Sequence, residues 1–454
     1  MRGNVIVLQV LGLSTILLTS LSMMPVQTES NPKTKVVKAG LLIDGTGNPP
    51  MTDVLIWIQG DRITKVGGNE SIPPDAVVID ASDQVVIPGL IDTHVHLGEQ
   101  AIKEKSPGYE DQVHLHLRQN LAFGVTTVFS LGLDREFIFS IRDRSWESDF
   151  VGSRILTAGS GFTAIGGHPT QLNLGVPNEI DDPAQARKRV RQLVAKRIDG
   201  IKIWFGGNFQ PATSPGRPEL PTMKAEVARA IIEEGHKNNL KVIAHINNAE
   251  GTKTLVRLQL DRITHIAQDP YDDETLKLMK RQGTLLVPTL VQRRKALIFT
   301  EDQQLLDDPF VRAVLGREVD QLKQAIAKTK PENFESMKKS YEQAKGNLRQ
   351  VKNAGIGLAL GTDAGSPFAP MGLVTHQEME AFVDAGLSPM EALVAATRGS
   401  AEWAGVSNRV GTIEAGKLAD MVILNQSPLL DIKNTRKIAK ITLGGRVVEP
   451  LEIR

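Results

Sequence analysis

A chain of 454 residues is too long for one small core and implies one large domain or two. Its 53 Lys and Arg against 52 Asp and Glu leave a formal charge of +1, so no bulk field draws it to nucleic acid or anionic lipid. With no cysteine, disulfides, thiolate metal sites and cysteine nucleophiles are excluded, and any metal must be held by imidazole, carboxylate or a modified side chain.

The stretch MRGNVIVLQVLGLSTILLTSLSMMPVQTES carries Arg2 as a short positive region, runs largely apolar from Val5 to Leu21 with Gln9 interrupting it, and turns polar near Gln27. It reads as a secretory signal peptide over residues 1–27, which makes the protein secreted or periplasmic. The run is long and its small-residue cleavage pattern poor, so an uncleaved membrane anchor is the alternative. From Lys35 to about Pro88, VVKAGLLIDGTGN, DVLIWIQGDRITKVG and AVVIDASDQVVIPG alternate apolar and polar residues between Gly, Asn and Asp, as short strands do. GTIEAGKLADMVILN and KIAKITLGGRVVEP near the C-terminus have the same character. Residues 35–88 and 401–454 are therefore expected to form one small β-sandwich built from both termini.

Between them, residues 89–400 alternate strand-like runs with helical patterns. LIDTHVH, VTTVFSL, RILTAG, GIKIWF, KVIAHI, RITHIA, TLLVPTL and IGLALGTD are the candidate strands; KAEVARAIIEEGHKNN, DDETLKLMKRQG and SPMEALVAATRGSAEWAG are among the helices. That count predicts an α/β fold, a (β/α)8 TIM barrel. A doubly wound sheet would want a Gly-rich phosphate turn after an early strand, and none is present. The basic run ARKRVRQLVAKR has helical spacing and reads as a solvated helix face, so no nucleic-acid partner is expected. From about 292 to 351 a long charged, helix-favouring segment separates the last two strands; it is expected to be a helical insertion, either a lid over the site or a peripheral hairpin.

Functional groups of such a barrel sit at the C-terminal strand ends. There the chain places His94 and His96, then Lys202, His245, His265 and Asp363, each closing an apolar run. On an extended strand i and i+2 share a face, so His94 and His96 can hold one ion. His114 and His116 have the same spacing on a helical pattern, where such residues do not face each other. His236, near the end of a helical run, reads as a cation beside the helix dipole, and His376 as structural. Alternation points Lys202 inward, where burial favours the neutral amine. Such an amine can add carbon dioxide to give a carbamate whose two oxygens could bridge two cations about 4 Å apart; the alternative is a lysine paired with a buried carboxylate such as Asp363.

PGLIDTHVH, GVTTV, GIKIWFGG, VIAHI, VPTL and GTDAG, with AGKLADMVIL in the C-terminal strand region, together resemble the amidohydrolase superfamily. The resemblance is to the group of imidazolonepropionase-like proteins and carboxylated-lysine prolidases, the Xaa-Pro and related dipeptidases, and it covers nearly the whole chain after the leader. It implies that His94 and His96 bind one divalent metal, that His245 and His265 bind a second, that carbamylated Lys202 bridges them, and that Asp363 ligates the first and shuttles protons. Zinc is the default for such a donor set, with manganese and cobalt as alternatives. His168, in FTAIGGHPT, would contact the substrate, with a loop-ordering hydrogen bond as the alternative. The implied reaction is hydrolysis of a C–N bond in a small peptide-like substrate, a dipeptide or N-acyl amino acid, by a metal-bridging hydroxide. The alternatives are a cyclic amide, ester or lactone at the same site and, in another class, a catalytically inactive exported binding protein on the same fold. Homo-oligomer formation is compatible with either.

The sequence departs from that group in places. Met223 stands where the prolidase-like relatives carry a tyrosine for the substrate carboxylate, and Arg217 is a candidate replacement. Asn248 stands where adenosine-type deaminases place a glutamate, which argues against deamination. Trp204, Phe205 and Phe209 suggest an apolar or aromatic substrate portion.

Overall fold

The computed structural model describes residues 34–68, 70–99, 108–173, 175, 177–206, 220–366 and 368–453. The expected leader, Phe209 and Arg217 lie outside them.

Strands β1 (Lys35–Leu42), β2 (Met51–Gln59), β3 (Arg62–Val66) and β4 (Val77–Pro88) carry the expected alternation; in β2, Val54, Ile56 and Ile58 are buried between more exposed neighbours. The middle of the chain then supplies β5 (Leu90–Val95), β6 (Val125–Ser130), β7 (Arg154–Thr157), β8 (Phe162–Thr163), β9 (Asn178–Glu179), β10 (Ile201–Trp204), β11 (Val242–His245), β12 (Arg262–Thr264) and β13 (Leu285–Val287). The C-terminal region adds β14 (Met421–Leu424), β15 (Ile438–Leu443) and β16 (Arg446–Val448).

Strands from both terminal regions enter one seven-stranded sheet in the order β16-β15-β14-β4-β1-β2-β3. The reason is β4: its 12 residues are enough to pair with β1 in parallel along one edge and, over Val85–Pro88, with β14 antiparallel along the other. Val37, Leu42, Ile56, Ile58, Val86, Met421 and Ile423 form its apolar core. β4 runs through Gly89 directly into β5, so this sheet is covalently continuous with the strand that carries His94.

The middle is a TIM-barrel-like parallel arrangement. β5, β6 and β7 form one parallel sheet, and the other runs in the order β13-β12-β11-β10-β8-β9. Every residue of β5, β6, β7, β10 and β11 is buried, as expected of strands covered on both faces. β8 and β9, two residues each, are too short to carry an alternation signal and were not anticipated. The last expected strand, IGLALGTD, is no regular strand but lies between β13 and β5. Leu286 N–H donates to Gly357 O at 3.0 Å, Thr93 N–H to Leu360 O at 3.0 Å and Asp363 N–H to His94 O at 2.7 Å. Gly361 permits this approach: a Cβ there would sit 2.8 Å from His94 Cβ and 2.9 Å from its backbone nitrogen.

The expected helices form. Asp273–Gln282 is capped by Asp272 and closed by Gly283 in the left-handed conformation, and Pro389–Val394 opens with a Ser388/Glu391 capping box. Pro183–Val194 buries Ala186, Val190 and Leu193 and leaves most of its arginines and lysines outward. The long charged connection is helical: Val291–Glu301, Pro309–Leu315, Arg317–Ala327 and Pro331–Asn353. Ile298, Phe299, Leu306, Leu315, Val319 and Leu322 of this segment close on Phe123 and Leu373.

Candidate metal centre

β5 delivers His94 and His96 to one side, with ring centroids 5.2 Å apart. Asp363 Oδ1 lies 3.0 Å from His96 Nε2 and 3.4 Å from His94 Nε2. One ligand atom from each of these three residues lies within 4.8 Å of the other two. The remaining histidines continue the cluster: His265 is 5.0 Å from His94 and 4.3 Å from His245, and His168 is 4.9 Å from His245, ring to ring. Lys202 is fully buried, its Nζ donating to Thr264 Oγ1 at 3.0 Å, one residue before His265. The structure therefore gathers all seven anticipated residues into one region.

The electrostatics favour neutral donors. Burial first, and neighbouring positive charge second, hold His94, His245 and His265 well below the usual histidine value. Burial brings Lys202 down to about 7, against which Asp363 pulls upward. Neither ring nitrogen of His94, nor Nδ1 of His96, has a hydrogen-bond partner among the described residues. Buried polar atoms are rarely left so; each neutral imidazole offers one lone pair, and those of His94 and His96 beside the Asp363 carboxylate fit a divalent cation. At His265 the tautomer follows from its neighbour. Thr289 Oγ1 donates to Pro288 O at 2.7 Å, so it accepts from His265 Nδ1 at 2.7 Å, which leaves the lone pair on Nε2.

Residues 85–448 match the amidohydrolase family. The protein belongs to that family. It is a metal-dependent hydrolase acting on carbon–nitrogen bonds. Ochratoxinase of Aspergillus niger is 25% identical over 91% of this chain and 86% of its own. A solved Xaa-Pro dipeptidase with methionine bound in its active site is 25% identical, covers 92% of this chain and 100% of its own, and superposes with a TM-score of 0.73. A putative prolidase from Bifidobacterium longum is 27% identical, covers 92% of this chain and 95% of its own, and has a TM-score of 0.72.

Around the cluster this amidohydrolase carries residues that sequence reasoning missed. Asp92 accepts from His94 N at 3.1 Å, Thr362 N at 3.1 Å, Thr362 Oγ1 at 2.6 Å and Thr375 Oγ1 at 3.1 Å, fastening β5 to the segment that bears Asp363. Its position two residues before His94 was the available signal. Asp134, after β6, accepts from Ser130 and Thr157 hydroxyls at 2.6 Å each, and the strand-end rule could have found it. Glu378 accepts from Leu290 N and Val291 N at 2.7 Å each and so caps the first inserted helix from outside it. In that helix Gln292 Nε2 reaches Thr362 O at 3.0 Å and Asp363 O at 3.1 Å. Glu378 and Gln292 had no signal, since both lie in patterns that read as ordinary amphipathic helix. Met223 is buried in the apolar core. His116 accepts from Gly98 N at 3.2 Å, and His376 bridges Thr435 Oγ1 and Phe123 O at 2.9 Å each, so both are structural.

Proposed function

We propose that this amidohydrolase is binuclear and cleaves the amide bond of a dipeptide or N-acyl amino acid. The observation that carries the reading is Lys202, fully buried among the histidines and brought by burial to about 7. A lysine ammonium there would repel cations held by His94 and His265, whereas the neutral amine reacts with carbon dioxide. The nitrogen lone pair attacks carbon, one N–H proton leaves to solvent, and the carbamate offers two anionic oxygens. His94, His96 and Asp363 would hold one ion, His245 and His265 the other, and carbamylated Lys202 both; zinc suits this donor set. We read the two parallel sheets and residues 357–364 as one closed (β/α)8 barrel over 89–400, with 292–351 inserted and 35–88 plus 401–454 appended. Residues 1–27 are read as an export signal.

Divalent cations held by these residues would supply Lewis-acid polarisation of the scissile carbonyl and a water of lowered pKa, towards 7. Asp363, beside His96 Nε2, takes the proton of the attacking water and passes it to the departing nitrogen. His168 accepts from Gln171 Nε2 through Nδ1 at 2.6 Å, so its neutral ring carries the proton on Nε2, a donor for a substrate oxygen. Trp204, with its ring 5.6 Å from Lys202 Nζ, supplies an apolar wall for an aromatic substrate portion.

The test is zinc content and turnover in bicarbonate. Wild type is expected to hold two equivalents per chain and Lys202→Ala about one, with the second restored by millimolar acetate or propionate standing in for the carbamate. One equivalent in both proteins would sink the binuclear reading. Release of amino acid from dipeptides and N-acyl amino acids supports the substrate class; hydrolysis confined to lactones would transfer the site to ester chemistry. N-terminal sequencing of the mature protein tests export, and an intact Met1 on cytosolic protein would overturn it.

A further inference from the structure

Close to the histidine cluster, one cation is buried without an ion-pair partner among the described residues. Arg293 lies in the first turn of the helix Val291–Glu301, just after β13, and is 9% exposed. Its Nη2 donates to Ile266 O at 3.1 Å, and Ile266 follows His265 directly. Burial lowers its pKa to about 10, so it is charged at neutral pH. Its charge helps to hold His245 and His265 unprotonated, and Asp363 supports it in return.

The molecule treats its other buried arginines differently. Arg154 makes a two-pronged pair with Asp420 at 2.9 and 3.2 Å, and Arg142 binds Asp143 at 2.7 Å and approaches Asp199 at 3.6 Å. Among the described residues Arg293 forms no ion pair and has that one carbonyl as its side-chain acceptor. A guanidinium has five N–H donors in a planar fork shaped for a carboxylate, and a buried charge left unpaired is costly. It stands beside a cluster suited to cations, so an anion arriving there would meet positive charge.

We infer that Arg293 receives the free carboxylate of the substrate, which restricts the enzyme to dipeptides and N-acyl amino acids with an unblocked C-terminal carboxyl group. This assignment rests on the amide-hydrolase reading and answers, with a residue of the inserted helix, what the tyrosine replaced by Met223 leaves vacant.

The experiment uses zinc-loaded wild type, Arg293→Met and Arg293→Lys, with zinc content and melting temperature recorded for each. Acetate release is followed from N-acetylphenylalanine and from its carboxamide, and binding of 3-phenylpropanoate and 3-phenylpropanol, which carry no bond to hydrolyse, is followed by calorimetry. Wild type is expected to prefer the free acid. Arg293→Met should lose roughly 100-fold in kcat/KM on the acid, chiefly through KM, and a similar factor in phenylpropanoate affinity. Arg293→Lys keeps the charge without the fork and should fall between. An unchanged acid-over-carboxamide preference in Arg293→Met, or in Arg293→Lys should the first variant not fold, overturns the assignment, as does phenylpropanoate binding indifferent to either substitution. If neither acetyl compound is cleaved while phenylpropanoate binding still depends on Arg293, the hydrolase reading fails and the carboxylate site stands. If both are cleaved alike whatever occupies position 293, the carboxylate site fails and the hydrolase reading stands.

Discussion

Asp363 and Asp92 lie on either side of His94 and ask different things of a carboxylate. Asp363 presents Oδ1 to the imidazoles, while Asp92 spends both oxygens on four hydrogen bonds within the scaffold. Asp363→Asn keeps the shape and removes the base, so kcat is expected to fall by about 10²–10⁴ with zinc content near wild type; turnover at the wild-type rate would remove Asp363 from the proton path. Asp92→Ala leaves two backbone N–H groups and two threonine hydroxyls without their buried acceptor. That should cost about 2–5 kcal/mol of stability and weaken metal affinity, as read by urea unfolding and competitive zinc titration. If both measurements match wild type, Asp92 does not order the site.

At the scale of elements, the cluster depends on contacts between strand ends and helices far apart in the chain. The helix Leu373–Asp384 supplies Thr375 to Asp92, Glu378 to the start of the first inserted helix, and His376 to Phe123 and Thr435. Burial holds the His376 ring neutral, with its pKa lowered to about 3. In the unfolded chain the same ring protonates near 6.5. Between those values only the unfolded state binds the proton, so the stability this ring contributes is complete above pH 6.5 and is lost as pH falls towards 3. His376→Gln should therefore show a shallower loss of stability on acidification, by up to about 1.4 kcal/mol per pH unit. Urea midpoints for both proteins at pH 7, 5.5 and 4.5 measure it, and parallel curves would count against the assignment.

For the whole molecule, the seven-stranded sheet passes through β4 and Gly89 into β5, and the segment carrying Asp363 is hydrogen-bonded to the same strand. Metal binding should therefore stabilise sheet and centre together. A ligand at a thousand times its Kd adds about 4 kcal/mol. Chelator treatment is thus expected to lower the melting temperature in a single transition and to abolish turnover, both restored by zinc with bicarbonate. A melting temperature indifferent to chelation would show that the cluster holds no stabilising ion.

How much of this was legible beforehand depends on how local the cause is. Alternation belongs to the backbone of one strand, so the common orientation of His94 and His96 could be read directly from LIDTHVH. The inward turn of Lys202 in GIKIWF could be read in the same way. The absence of cysteine restricted the donors. Burial is not local. Arg293, Glu378 and Gln292 lie in polar helical patterns that look solvated, and they became buried only when distant strands and helices packed against them. The irregular segment at Gly361 in place of a strand was likewise decided by which backbones met. By itself the sequence determined the donor chemistry and the side of each strand it occupies. Tertiary structure decided which donors meet and which charge was left unpaired, because those depend on contacts between residues hundreds of positions apart.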